Sequence, residues 1–267
     1  MSEKKRLDIL LTEKGFAPSR EKAKAIIMSG NVYIAGQKAD KAGETFPEDT
    51  EIEVRGNDNA YVSRGGLKLE KALDFFGASV EGKIAIDVGA STGGFSDCLL
   101  RRGVKKLYSV DVGYGQLAWE IRNNPKVVCM ERTNIRYVTH EQVPDIIELA
   151  VIDVSFISLK LVLPAVRALM SDNGNVYCLI KPQFEAGREK VGKKGVVRDP
   201  EVHAEVLENF MENAKAAGFF VCGITFSPIT GPEGNIEFLG SLSCSETDTA
   251  QIDVKQIVED AHNSLKG

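Results

Sequence analysis

Apolar positions recur along this chain with two different periods, and the places where the period changes mark its organisation. Between Arg6 and Lys14 the residues Leu7, Leu10 and Leu11 fall at helical spacing, and Gly15 ends the run. A second short helix is predicted from Ser19, whose hydroxyl can cap free N–H groups of the first turn. Ala23, Ile26 and Ile27 form its buried stripe, and Gly30 stops it. The period then drops to two: Val32 and Ile34 flank Tyr33, Gly36 allows a tight turn, and Ile52 with Val54 gives a later strand. These pieces predict a small α+β unit over residues 1–58, with Asn57, Asp58 and Asn59 leading into a linker at 59–66.

A longer unit follows. Leu67, Leu69, Ala72, Leu73 and Phe76 keep helical spacing up to Gly77, and from Lys83 short apolar strands alternate with helical stretches. That alternation predicts an α/β domain over 67–245, a mostly parallel sheet with helices on both faces. The helix from about Pro200 to Ala217 buries Val202, Val206, Leu207, Phe210 and Ala214, and His203 on it is read as structural or exposed. Phe219 and Phe220 start the next strand, Trp119 is expected to pack near the domain surface, and the tail at 246–267 carries a short amphipathic helix over 252–265.

Composition narrows the classes. With 267 residues, 43% hydrophobic and 27% charged, the chain is long enough for a real core. Its net charge of -5 gives no whole-molecule attraction to nucleic acid or anionic lipid, so any RNA contact must be local. Cys98, Cys129, Cys178, Cys222 and Cys244 are odd in number and form no CxxC pair, which argues against zinc and a disulfide framework and suits a reducing cytoplasm. Asp8 and Glu13 break the N-terminal apolar stretch, and Asp153 and Lys160 interrupt the most apolar window, Leu149 to Val166. A soluble, cytoplasmic protein without export signal or membrane span is expected.

The candidate chemistry lies at strand ends. The strand KIAIDV runs into the Gly-rich turn GASTGGFSD, where Gly89, Gly93 and Gly94 let backbone approach a ligand. Asp111 ends the next strand about 20 positions on and suits ribose hydroxyls, so a nucleoside cofactor is predicted, with NAD and S-adenosylmethionine both open. Asp153 closes LAVIDVS and Lys181 closes NVYCLIKP. Charges after apolar runs are costly unless partnered at a site. Glu237 stands near the beginning of NIEFLGSLS, so an antiparallel last strand would bring it to the same edge. On the second helix Arg20 and Lys24 stand one turn apart with Lys22 beside them, a basic ridge that is either a solvated face or an RNA contact.

Two resemblances sharpen this picture. The string SREKAKAIIMSGNVYIAG resembles the RNA-binding motif of the S4 ribosomal-protein family, which recognises RNA shape and phosphate. Residues from Asn59 to Ser243 resemble the FtsJ-type methyltransferase domain, and the two together resemble the TlyA family, once called haemolysins, through the string DVGASTGGFSD with Ser96 as a conservative departure. The resemblance implies a Rossmann-like S-adenosylmethionine-dependent methyltransferase acting on ribose 2′-hydroxyls of ribosomal RNA or ribosomal subunits, without metal or membrane. It implies a catalytic tetrad of Lys68, Asp153, Lys181 and Glu237, and cofactor contacts from Asp87, Gly89, Ala90, Ser91, Gly93, Gly94, Phe95 and Asp111. RNA contacts are expected from Arg6, Arg20, Lys22, Lys24, Arg64, Arg188, Lys193 and Lys194.

Within the tetrad, Lys181 is the candidate base. A lysine amine is mostly protonated at neutral pH, so desolvation, a cationic sulfonium and Lys68 would have to outweigh Asp153 and Glu237; otherwise Lys181 only orients the hydroxyl. The basic loop at 184–200 reads equally as a solvated loop or an RNA-binding flap. Competing readings are a membrane-active haemolysin, a dehydrogenase and a non-catalytic ribosome-binding protein.

Overall fold

The computed structural model describes residues 4–17, 19–28, 30–54, 61–246 and 251–265, so the expected polar start of the linker, Asn57 to Asn59, lies outside the described residues. The chain divides into two units, Met1–Ala60 and Tyr61–Gly267. Within the stretch expected as linker, buried Tyr61 packs against Gly66, where a Cβ would come within 2.2 Å of the Tyr61 ring, and a helix begins at Gly65.

The first unit runs β1 (Lys4–Arg6), α1 (Leu7–Glu13), α2 (Arg20–Met28), β2 (Val32–Ile34), β3 (Gln37–Lys38), β4 (Thr45–Pro47) and β5 (Ile52–Val54). Strands β3, β2 and β5 form one antiparallel sheet, and β1 pairs with β4 in a second, which the sequence pattern did not reveal. Leu7, Leu10, Leu11, Ala23, Ile27 and Val32 are fully buried and make the core that the helical spacing predicted. Ser19 Oγ accepts the Lys22 N–H at 3.3 Å, the expected cap.

The second unit runs α3 (Gly65–Phe75), β6 (Ile84–Val88), α4 (Gly94–Arg101), β7 (Lys106–Val110), α5 (Trp119–Arg122), β8 (Val127–Met130), β9 (Ile147–Ile152), α6 (Leu159–Leu169), β10 (Met170–Ile180), α7 (Pro182–Glu185), α8 (Pro200–Ala216), β11 (Phe220–Phe226), β12 (Phe238–Ser243) and α9 (Val254–Ser264). Its seven-stranded sheet has the order β11-β12-β10-β9-β6-β7-β8, and β12 runs against all the others. The strand order reverses between β6 and β9, a switch point of the kind where ligands sit in open α/β sheets.

Strands β6 and β9 read as continuous apolar runs because both faces are covered. Ile86, Val88, Ala150 and Ile152 pack against the α6 and α8 side, whereas Ala85, Leu149 and Val151 pack against Leu69, Leu73, Phe95 and Leu99 of α3 and α4. Trp119 corrects an expectation: it stands 77% exposed at the start of α5 rather than packed.

His203 of α8 is fully buried. Its Nε2 meets the Val197 carbonyl at 3.2 Å and must donate there, and its Nδ1 lies 2.9 Å from His262 Nε2 of α9. Burial, with His262 as a second cause, pulls its pKa from the ordinary 6.5 down to about 4. The unfolded chain therefore takes up a proton first, and stability falls as pH drops from about 6.5 towards about 4. We expect the urea midpoint to decline over that window by at most the equivalent of about 3 kcal/mol, and the decline to flatten in His203→Gln.

Candidate active site

The carboxyl ends of β6, β7, β9 and β10 and the start of β12 supply the site. Lys181 follows the last residue of β10 and caps α7, whose first residue, Pro182, cannot continue the ladder. Its Nζ lies 2.5 Å from Asp153 Oδ1, just beyond β9, and donates to Ser155 Oγ at 3.0 Å. On β12 the register Ile180↔Phe238 sets Lys181 and Glu237 one step further along, on neighbouring strands. Glu237 Oε2 accepts from Lys68 Nζ of α3 at 2.5 Å, and both side chains are buried. The four charges thus stand as two ion pairs on one edge of the sheet.

Burying Lys68 and Glu237 is tolerable only because each matches the other, while Lys181 and Asp153 are half-buried. Close contacts hold the second pair in place. A Cβ at Gly231 would come within 2.7 Å of Glu237 Oε1, and Arg64 Nη2 donates to the Thr230 carbonyl at 2.9 Å, bracing the same loop.

Next to the Lys181–Asp153 pair lies a cavity of about 540 Å³, walled by Val88, Gly89, Ser91, Asp111, Gln116 and Asn134 among others, with Asp153 itself and Phe156 in its wall. Asp111 accepts from the backbone N–H of Ser91 at 2.7 Å and of Gly113 at 2.6 Å, which fixes its carboxylate at the rim. Apolar walls from Val88, Val110, Ile135 and Val162, polar groups at either end, and this volume fit a nucleoside-bearing cofactor. A second hollow of about 570 Å³ shares Arg136, Phe156 and Ile157 with the first and adds Phe184 and Arg188.

Of the expected cofactor residues, Gly89, Ser91 and Asp111 line the cavity, whereas Asp87, Ala90, Gly93, Gly94 and Phe95 do not. The protein itself occupies the space that two of the glycines leave open. At Gly89 (φ +89°) a Cβ would come within 2.4 Å of the Asp153 carbonyl, and at Gly94 within 2.2 Å of Ser63 Oγ. Phe95 is core. Asp87 is fully buried beneath the turn, its Oδ2 accepting from Ser96 Oγ at 2.6 Å, and burial pushes its carboxyl up to about 7.

The expected RNA residues divide similarly. Lys22, Lys24, Arg188, Lys193 and Lys194 are exposed, and Arg6 and Arg20 are exposed but engaged with Asp8. The basic loop is anchored rather than free-standing: Val196 and Val197 are buried, Val197 N–H donates to Asn235 Oδ1 at 3.0 Å, and Lys190 pairs with Glu205.

Sequence reasoning missed several groups. Gln116 and Asn134 line the cavity, and Phe156 stands 91% exposed at φ +64°, its ring centroid 5.0 Å from that of Phe184. Glu131 accepts from the N–H groups of Gln116 at 3.1 Å and Leu117 at 3.4 Å. The Arg122 guanidinium holds its carboxyl down at about 2. For Phe156 the sequence did hold a usable signal: an aromatic residue soon after the strand-end acid Asp153, in the string DVSF, where the buried apolar run has already ended. Gln116 and Asn134 carry no comparable mark.

The comparisons with known proteins agree with this architecture. Residues 61–243 match the model of the FtsJ-like methyltransferase family, and residues 5–52 match the S4 domain. The chain belongs to the FtsJ-like methyltransferase family. It is 52% identical to YqxC of Bacillus subtilis, which bears a provisional rRNA methyltransferase name, over 99% of this chain and 96% of that protein. It is 40% identical to TlyA of Mycobacterium tuberculosis, named a 16S/23S rRNA (cytidine-2′-O)-methyltransferase, over 99% of this chain and 98% of that protein. A solved structure under a hemolysin title, from Streptococcus thermophilus, is 46% identical with a TM-score of 0.77, covering 99% of this chain and 98% of that one. Among the described residues no helix is long and apolar enough to cross a membrane, and no cluster of three or more His, Cys, Asp or Glu could hold a metal ion.

Removing one partner of a buried pair leaves the other charge unmatched, so Glu237→Ala is expected to lower unfolding free energy by about 3 to 5 kcal/mol. Combining Lys68→Met with Glu237→Leu should recover most of that loss in a denaturant titration while leaving the protein inactive.

Proposed function

We propose that this protein transfers a methyl group from S-adenosylmethionine to a ribose 2′-hydroxyl of ribosomal RNA, with its S4 unit contributing RNA affinity. The observation that supports the reading is that Asp153, paired with Lys181, lines the nucleoside-sized cavity, while the Lys68–Glu237 pair stands at the end of the neighbouring strand. The names borne by the full-length relatives support the substrate class.

Bound in the cavity, S-adenosylmethionine would supply a methyl group on a positively charged sulfur. Asp111, Ser91, Gln116 and Asn134 would hold its nucleoside part, with Gly89 setting the turn against the Asp153 backbone. The target nucleotide would enter from the second hollow, where Phe156 and Phe184 offer apolar surface and Arg136 and Arg188 offer charge.

The residues of this chain then have two tasks. Positioning the hydroxyl in line with the methyl carbon can supply roughly 7 to 11 kcal/mol of the barrier, against roughly 3 to 5 kcal/mol for base assistance. Alignment is the larger contribution, and the buried Lys68–Glu237 pair provides the rigid wall for it. Lys181 Nζ, held by Asp153 and Ser155, would first give its extra proton to solvent; the neutral amine keeps its bonds to both and uses its lone pair to take the hydroxyl proton as the oxygen attacks. Asp153 keeps that amine aimed and balances the charge it acquires.

Labelled S-adenosylmethionine incubated with each unmethylated ribosomal subunit should yield ribose methylation that mapping assigns to specific nucleotides. Intact subunit binding without methyl incorporation would reject the enzymatic reading. Lys181→Ala should bind the cofactor normally in a titration calorimeter yet lose methylation by a factor of about 10² to 10⁴. Near-normal turnover by that variant takes Lys181 out of the mechanism.

A further inference from the structure

Asp8 is fully buried in the first unit, yet the side chains of the two arginines that neutralise it are 44% and 53% exposed. Its Oδ1 accepts from Arg6 Nε at 3.0 Å and its Oδ2 from Arg6 Nη2 at 3.2 Å, a two-point fork. The same Oδ2 accepts from Arg20 Nη2 at 2.9 Å. These bonds, Arg6 first and Arg20 after it, hold the Asp8 carboxyl down at about 2 despite its burial, so it stays charged at every working pH.

One partner would suffice to make a buried carboxylate tolerable. Here there are two, drawn from the end of β1 and the start of α2, and among the described residues most of their N–H donors are left over after Asp8 is satisfied. We propose that Asp8 is a positioning residue for RNA recognition: it locks the Arg6 and Arg20 guanidiniums into one geometry, so that RNA phosphates meet a preformed pair of cations. The inference rests on the reading of the first unit as RNA-binding.

Two effects of Asp8 oppose each other. Its negative charge lowers the local positive field, and phosphate binding is driven by that field. Its hydrogen bonds remove rotamer freedom from two long side chains, freedom that would otherwise be lost on binding. Bidentate arginine recognition of phosphate depends on orientation as well as charge. If charge dominates, neutralising Asp8 tightens RNA binding; if positioning dominates, the same change weakens it. The sign of the effect separates the two. Lys22 and Lys24, exposed on the same helix, contribute charge in either case.

The test uses the full-length protein and ribosomal subunits isolated from cells lacking the methylation. Asp8→Asn keeps the shape and removes the charge; the Thr12 Oγ bond to the Asp8 backbone carbonyl, 2.9 Å, is unaffected. We expect subunit affinity to fall roughly tenfold, the order set by ordering two long side chains on binding. KM for the subunit should rise in step, with kcat and S-adenosylmethionine affinity unchanged. Equal or tighter subunit binding overturns the proposal. Should hydrogen exchange at Leu10 and Leu11 show that Asp8→Asn loosens the first unit, Arg6→Lys carries the test, since it keeps the charge and loses the fork. Weaker binding is expected there too, and wild-type affinity overturns the proposal. Wild-type protein that fails to bind subunits withdraws the RNA reading and this inference together, whereas wild-type binding matched by Asp8→Asn defeats the inference alone.

Discussion

Water solvates a lysine ammonium or a carboxylate so strongly that neither can be buried singly, and at the carboxyl edge of the central sheet two such groups are buried and two more are half-buried. They are tolerated because Lys68 meets Glu237 and Lys181 meets Asp153. Each pair joins segments remote in sequence, so the sheet order must deliver them to one place before either can form. The switch point between β6 and β9, the Gly89 turn seated on the Asp153 backbone and the Gly231 loop beneath Glu237 are all arranged around that requirement.

The same logic recurs in the first unit on a smaller scale. Asp8 is buried among Leu7, Leu10 and Leu11, and its charge is met by arginines whose stems lie at the surface. In one unit a half-buried acid, Asp153, holds the Lys181 amine; in the other a buried one holds two arginines at the surface. In both, a fixed carboxylate turns a flexible cation into a placed one.

Much of this was legible in the sequence. Charges after apolar runs marked Asp153 and Lys181, and the position of Glu237 at the start of its run required the antiparallel direction that β12 has. What was not legible depended on partners far along the chain. Nothing local says that Gly94 faces Ser63 or that Asp87 lies under the turn instead of in the cavity. The second arginine on Asp8, Arg20, stands twelve positions on, and read alone Asp8 served only to interrupt an apolar stretch. The β1–β4 pair escaped notice because three-residue strands carry too little periodicity to register.

The direction of β12 has a geometric consequence. Its six residues span roughly 20 Å at the usual rise per residue, so a version of the fold with that strand reversed would deliver the Glu237 carboxylate to the opposite rim of the sheet. A slip of one residue against β10 would be just as damaging, because it would turn the side chain through to the other face. The polarity and phase of a single strand therefore decide whether the fourth charge arrives at all, and the paired run from Asn175↔Ser243 to Ile180↔Phe238 is the ruler that sets them.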